Sequence, residues 1–399
     1  MSIDIFKERG TPVDKQEFDW KDLVQVPFSK LDDDAFTRVR VILMNGVEQE
    51  SVRFSHACAR MSDELRLPLA RIRRVDHHQQ TLVNWLNPPD QSPLETTLGY
   101  EQTAIEVTAV LAQHEPDPYL KQILDFGLLE DFDHLYRFSA LMDRVEGLDA
   151  NNIVQCYTDI LPGRPTVDEH RHPADDLRDH YDRTTAAPIS KINAQIIVAA
   201  ENQVRDYYMN IGPTFSDPVA RQLYAEIASI EEQHTTQYEC MQDPNETMLE
   251  KWLLHELAEV YAYYSCARQE QNPRLKALWE RFVDYELGQF HEVADLMKRM
   301  ENRDPAEIVP ETLPTPIDFS SQRKYVREIL STQVPLRANG PNFVPLEQES
   351  ELSLAYRERI NRAGSPSERI AAGYRWMPGT EVTKYATVGD GAGAQEARP

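Results

Sequence analysis

Four helix-start signals recur along the chain at repeating distances, and they constrain the fold more than any other feature. Ser62-Asp63, Asp117-Pro118, Asp217-Pro218 and Asn272-Pro273 are separated by 55, 100 and 55 residues. Ser, Asp or Asn at an N-cap accepts from the free N–H groups of the first turn, and Pro is at home at the first helical position because its missing donor has no partner there. Other columns keep the same offsets: Arg66, Lys121, Arg221 and Lys276 are basic, and Leu69, Leu124, Tyr224 and Trp279 are apolar. Each signal opens the second helix of a hairpin, so the spacing predicts an all-α chain of four repeated hairpins, at about 37–88, 94–145, 188–241 and 246–300.

The link between the second and third hairpins, about 146–187, contains PGRPTVDEHRHPADD and is long enough to cross the full length of a helical bundle, whereas short links give simple up-down neighbours. Beyond residue 300 the sequence becomes Pro-punctuated (IVPETLPTPIDF, VPLRANGPNFVPLEQ), which predicts an irregular tail over 301–385 wrapping the bundle, with short helices around 321–332 and 348–362. Residues 1–36 form an N-terminal extension with too little periodicity to assign, and 386–399 (ATVGDGAGAQEARP) reads as disordered.

Charge narrows the partners. A balance of 42 Lys and Arg against 66 Asp and Glu, net −24, argues against a phosphate backbone or an anionic membrane; it leaves solubility or a basic electron-transfer partner as its use. No apolar run approaches the ~20 residues that span a bilayer. Cys58, Cys156, Cys240 and Cys266 stand singly, with no CxxC pair, which speaks against disulfides, rubredoxin and iron–sulfur sites and for a reducing compartment. The expected setting is cytoplasmic, as a homo-oligomer acting on a small molecule.

The second hairpin holds Glu101 and, thirty residues on, Asp131 and His134; the third holds Glu201 and, thirty residues on, Glu231 and His234. A carboxylate and a histidine three apart share one helix face, and a Glu on the partner helix meets them at the same level. Each acid interrupts an apolar stripe: Leu94, Leu98 and Ile105 flank Glu101; Leu124, Leu128, Leu135 and Phe138 flank Asp131; Ile197, Val198, Val204 and Tyr208 flank Glu201; Tyr224, Ile227 and Tyr238 flank Glu231. Solvated helix faces are the bland reading of such acids, but burying them unpaired costs many kcal/mol, and the stripes offer few Lys or Arg. Carboxylates mixed with imidazole suit a pair of iron ions, or manganese or mixed manganese and iron.

A Glu helix followed by an ExxH helix, twice, resembles the ferritin-like di-metal carboxylate superfamily over about 94–241, closest to its oxygen-activating branch of multicomponent monooxygenase hydroxylases and ribonucleotide reductase small subunits. The resemblance implies that Glu101, Asp131 and His134 serve mainly one metal and Glu201, Glu231 and His234 the other, with Asp131 and Glu231 as bridges. It implies an oxidoreductase activating O2, with a ferroxidase, a manganese catalase-like scavenger or a non-catalytic accessory subunit as alternatives. Glu130 is either an acid that orients a histidine or a fallback ligand, since the first motif reads DxxH. Tyr208 is a candidate catalytic tyrosine, with core packing as its ordinary use; with Ala104, Thr108 and Val204 it would line any substrate cavity. The outer hairpins carry the register in weaker form, Gly46, Asp76 and Gln79 in the first and Glu256, Glu286 and Gln289 in the fourth. The first reads as a lost site, and a bundle of hairpins three and four, with His291, is the alternative centre.

Overall fold

The Asp-Pro and Asn-Pro dipeptides cap helices as their chemistry predicts. In a computed structural model describing residues 3–376, Asp117 accepts from the backbone N–H of Tyr119 and Leu120, Asp217 from Val219 and Ala220, and Asn272 from Arg274 and Leu275. The chain is all-α apart from one two-stranded hairpin. Its long helices are α1 (Ala35–Ala59), α2 (Arg66–Asn84), α3 (Pro93–His114), α4 (Pro118–Glu146), α5 (Pro188–Ile211), α6 (Pro218–Glu239), α7 (Met248–Gln269) and α8 (Pro273–Glu301). The first hairpin departs from its expected cap. Ser62 Oγ accepts from Leu65 N inside a turn, and α2 starts only at Arg66, because no Pro follows to set the first helical residue.

Each helix packs most closely on its neighbour in sequence. The first helices of the four pairs, α1, α3, α5 and α7, lie together in the middle of the molecule, with α1 against α5 as the closest contact between pairs. Gly46 marks that crossing: a Cβ on it would lie 2.8 Å from Ala199 O and 2.3 Å from Gln203 Nε2. A position that reads as a deleted ligand is therefore the place where two helices approach so closely that a side chain could enter only by displacing Gln203 and pressing on the α5 backbone. Asn45 Nδ2 donates to Gln203 Oε1 (2.9 Å), and Gln203 Nε2 donates to Ile42 O (2.8 Å), fastening the same crossing.

The connection between α4 and α5 runs along the outside of α4 and α6. Asp133 pins it, accepting from Gly163 N (3.0 Å) and from the N–H and hydroxyl of Thr166 (both 2.7 Å). Gly163 sits where a Cβ would meet Leu129 O at 2.3 Å. The N-terminal arm covers α8 in a similar manner: Gln16 Nε2 donates to Tyr285 O (2.7 Å), and a Cβ on Gly288 would strike Thr11 O.

Residues after α8 supply α9 (Arg323–Gln333), strands β1 (Leu336–Asn339) and β2 (Asn342–Pro345), α10 (Glu351–Ile360) and α11 (Pro366–Ala371). The β-hairpin was not expected from the sequence. It turns at Gly340, where φ is +56°, and Gly340 N donates to Asp175 in the connection at 2.8 Å. The segment 386–399 lies outside the described residues. Among the described residues no helix is long and apolar enough to cross a membrane, and no disulfide joins the four cysteines.

Candidate metal centre

Every flanking residue of the four acidic stripes is buried, and so are the acids themselves: Glu101, Asp131, His134, Glu201 and His234 are 0 % exposed and Glu231 is 1 % exposed. Helices α3, α4, α5 and α6 bring all six to one place. Asp131, Glu201, Glu231 and His234 offer ligand atoms that all lie within 4.8 Å of one another, and Glu101, His134 and Glu231 form a second such group. Glu231 belongs to both. Asp131 thus groups with Glu201 and His234, where the resemblance had assigned it mainly to the Glu101 side.

The two imidazoles are held alike. His134 turns Nε2 outward to Glu169 Oε2 (2.9 Å) and Nδ1 inward to Glu231 Oε1 (3.0 Å). His234 turns Nε2 outward to Glu130 Oε2 (2.7 Å), and its Nδ1 faces Glu231 Oε2 (3.0 Å), Asp131 Oδ1 (3.2 Å) and Glu201 Oε2 (3.7 Å). The rings stack with centroids 5.9 Å apart. An outer carboxylate that takes one ring N–H fixes the tautomer and leaves the other nitrogen as a lone-pair donor, which is how metal-binding histidines are oriented. Of the two uses that DxxH left open for Glu130, the geometry matches the acid that orients a histidine: it stands behind His234 and outside both ligand groups.

Many inward atoms lack a protein partner. Glu101 Oε2, both oxygens of Asp131 and of Glu201, Glu231 Oε1 and His134 Nδ1 are buried without a hydrogen bond. The His134 Nδ1 to Glu231 Oε1 approach is close but lacks hydrogen-bond alignment, so each atom keeps a free lone pair. Buried polar groups are nearly always paired, and so many orphans at one point form a set of ligand atoms that could hold cations. The donor set, four carboxylates and two imidazoles without sulfur, fits iron or manganese.

Electrostatics divide the acids by their partners and not by their place inside or outside the imidazoles, for burial pushes the outer acid Glu169 up to about 8 against the pull of His134. Burial pushes Glu101, Asp131 and Glu201 above the ordinary carboxylate range. Burial acts on Glu231 too, but the two histidines overcome it and hold that carboxyl at about 2. Glu130, equally buried, is held well below the usual range by Arg171, His234 and Arg164. Arg164 Nη1 donates to Glu130 Oε1 at 2.9 Å and Arg171 Nη1 to the same oxygen at 2.5 Å.

Tyr208 donates its hydroxyl to Glu101 Oε1 and packs against the rings of Phe138 and Tyr224. Ala104, Thr108 and Val204 are buried, and the Thr108 hydroxyl has no partner. His170, His172 and His180 of the connection are not gathered into a ligand group among the described residues. His291, the histidine of the alternative centre, faces the N-terminal arm instead, with Nε2 2.9 Å from Glu8 O. Sequence reasoning missed Glu169, Arg164 and Arg171 because they sit in the aperiodic connection, where no stripe marks a buried charge. Comparison of the chain with protein-family models, curated proteins and solved structures gives no match.

Proposed function

We propose that the chain is a ferritin-like oxidoreductase that activates O2 at a dinuclear iron or manganese centre held by Glu101, Asp131, His134, Glu201, Glu231 and His234. The observation that supports this reading most strongly is the set of orphaned, inward-facing oxygens and His134 Nδ1 described above. A pair of such metals supplies a place where O2 is bound and reduced, provided electrons arrive from a partner protein.

The chain's own residues have definite tasks in this reading. Glu169 and Glu130 hold the two imidazoles in the tautomer that presents Nδ1 inward. Arg164 and Arg171 keep Glu130 ionised, so it accepts from His234 and does not compete for its proton. Tyr208 fixes one oxygen of Glu101 and leaves the other free, and it is the group best placed to exchange a proton or electron with the centre. Leu98, Ile105, Leu128 and Leu135, all fully buried, keep bulk water away.

The test is O2 uptake by the iron-loaded, reduced chain. Stoichiometric uptake, with iron retained through repeated reduction and reoxidation and lost in Glu231→Ala, supports the oxidoreductase. Release of iron after each oxidation favours a ferroxidase, and rapid peroxide dismutation by the manganese form favours a catalase. A metal-loaded chain inert to both O2 and peroxide contradicts the proposal and favours an accessory subunit.

A further inference from the structure

The first and fourth hairpins, which contribute nothing to the central site, face each other across a second cluster of buried acids. Glu48 on α1, Asp76 on α2, Glu256 and Glu259 on α7 and Glu286 on α8 are each at most 1 % exposed. Oxygens of Glu256, Glu259 and Glu286 lie within 4.8 Å of one another. Gln79 Nε2 ties the two hairpins together, donating to Glu286 Oε1 (2.5 Å) and Glu48 Oε1 (3.1 Å). Among the described residues none of these five acids has an ion-pair partner.

Acids alone would not identify a site, since protonation also neutralises them. The second observation is Glu259, 1 % exposed, whose two oxygens both lack a hydrogen-bond partner although the side chain is aimed at Glu256 and Glu286. Gln289, fully buried one turn beyond Glu286, turns its Nε2 to Glu286 Oε1 and Gln79 Oε1 at 3.4 Å each and leaves its Oε1 without a partner. Protonated carboxyls this close would donate to one another, and no such hydrogen bond joins Glu259 to Glu256 or Glu286; a cation would coordinate all three. Both oxygens of Glu259 and one each of Asp76, Glu256 and Glu286 are likewise orphaned. The register adds a third: Asp76, Glu256, Glu286 and Gln289 stand 55 residues from Asp131, Glu201, Glu231 and His234.

We propose that Glu256, Glu259 and Glu286, with Asp76 beside them, form a second cation site taking one hard divalent ion (Mg2+, Mn2+ or Ca2+) bound through oxygen alone. Where the central site has imidazole this one has amide, so it lacks the nitrogen donors that favour iron. One oxygen each of Glu256, Glu259 and Glu286 lies within 4.8 Å of the others, the width across a calcium ion with metal–oxygen distances of about 2.3–2.6 Å. Trp252 Nε1 donates to Glu256 Oε1 (2.7 Å) and Tyr263 donates to Glu48, which orients both acids as Tyr208 orients Glu101.

The test uses the full chain, stripped with chelator and titrated with Mn2+ alone, free Mn2+ being counted by electron paramagnetic resonance. Wild type is expected to bind one ion more than Glu256→Gln/Glu286→Gln, whose helical circular dichroism should match wild type. A folded variant that binds as many ions as wild type overturns the site. If that variant does not fold, His134→Ala/Glu231→Ala/His234→Ala, which also removes the carboxylate common to both central groups, decides: it should retain one tight Mn2+ without nitrogen coupling in its pulsed spectrum, and no tight ion, or one with histidine coupling, overturns the site. Wild type binding a single ion that disappears in Glu256→Gln/Glu286→Gln would keep this site and contradict the dinuclear centre.

Discussion

The two acidic clusters are built on the same helical register and differ in the residue three positions after the second-helix acid. In hairpins two and three that residue is His134 or His234; in hairpins one and four it is Gln79 or Gln289. The consequence reaches past the inner ligands. Each imidazole needs an acceptor behind it, and the long connection supplies Glu169 to one while Glu130, itself held by Arg164 and Arg171 from that connection, serves the other. The amides need no outer carboxylates, and in their cluster Gln79 binds straight to Glu48 and Glu286. The N-terminal arm that covers α8 carries backbone and amide contacts there, such as Gln16 to Tyr285 O, in place of a buried charge. One substitution of ligand type thus decides which peripheral segment must carry buried ions.

The two clusters should differ most when the imidazoles are removed. His134→Ala/His234→Ala removes the only nitrogen donors of the central cluster, and at least a 100-fold loss of iron affinity is expected in an equilibrium titration against a competing chelator, whereas Gln289→Ala should leave iron binding unchanged. One step outward, Glu130→Gln should weaken the metal by about 10- to 100-fold, because His234 loses its charged acceptor. The same change leaves Arg164 and Arg171 buried without their shared carboxylate, at a cost of about 3 kcal/mol in a denaturant titration of the metal-free chain.

Glu106 sharpens the contrast as a buried acid with protein donors of its own, Thr158 Oγ1 at 2.6 Å and Gln322 N at 2.7 Å. Burial nevertheless raises its carboxyl to about 7. Between the unfolded value near 4.5 and about 7 the folded chain keeps a proton that the unfolded chain releases, so the stability present below pH 4.5 is lost as pH rises through 7. The loss amounts to about 3 kcal/mol at most, and Glu106→Gln should flatten that part of the pH–stability curve. The smallest effect belongs to Gly46→Ala, whose new methyl must displace Gln203 and press on the α5 backbone. A cost of about 1–3 kcal/mol in thermal unfolding is expected, with iron binding retained, since Gly46 touches α5 and no ligand.

Much of this was legible in the sequence because helices write their contacts at fixed intervals. Asp117-Pro118, Asp217-Pro218 and Asn272-Pro273 announce helix starts by local chemistry alone, and the stripes around Glu101, Asp131, Glu201 and Glu231 announce buried acids by periodicity. Ser62-Asp63 misled by three residues because the dipeptide without Pro also suits a turn. Pairing between hairpins was beyond reach: periodicity says which face is buried and not which neighbour buries it. For that reason hairpin four was weighed with hairpin three when its acids in fact meet those of hairpin one through Gln79. Gly46 carried the same ambiguity, since a missing ligand and a close helix crossing leave one mark in a sequence. Glu169 and the β-hairpin at Gly340 lie in stretches whose conformation is set by tertiary contacts, where no local rule applies.

Anomalous X-ray diffraction from crystals grown with iron and manganese would locate the two metal ions proposed among α3, α4, α5 and α6. The account predicts two peaks beside Glu231, one bordered by Glu101 and His134 and the other by Asp131, Glu201 and His234. No peak at that position, with the six side chains hydrogen-bonded to one another instead, would contradict it.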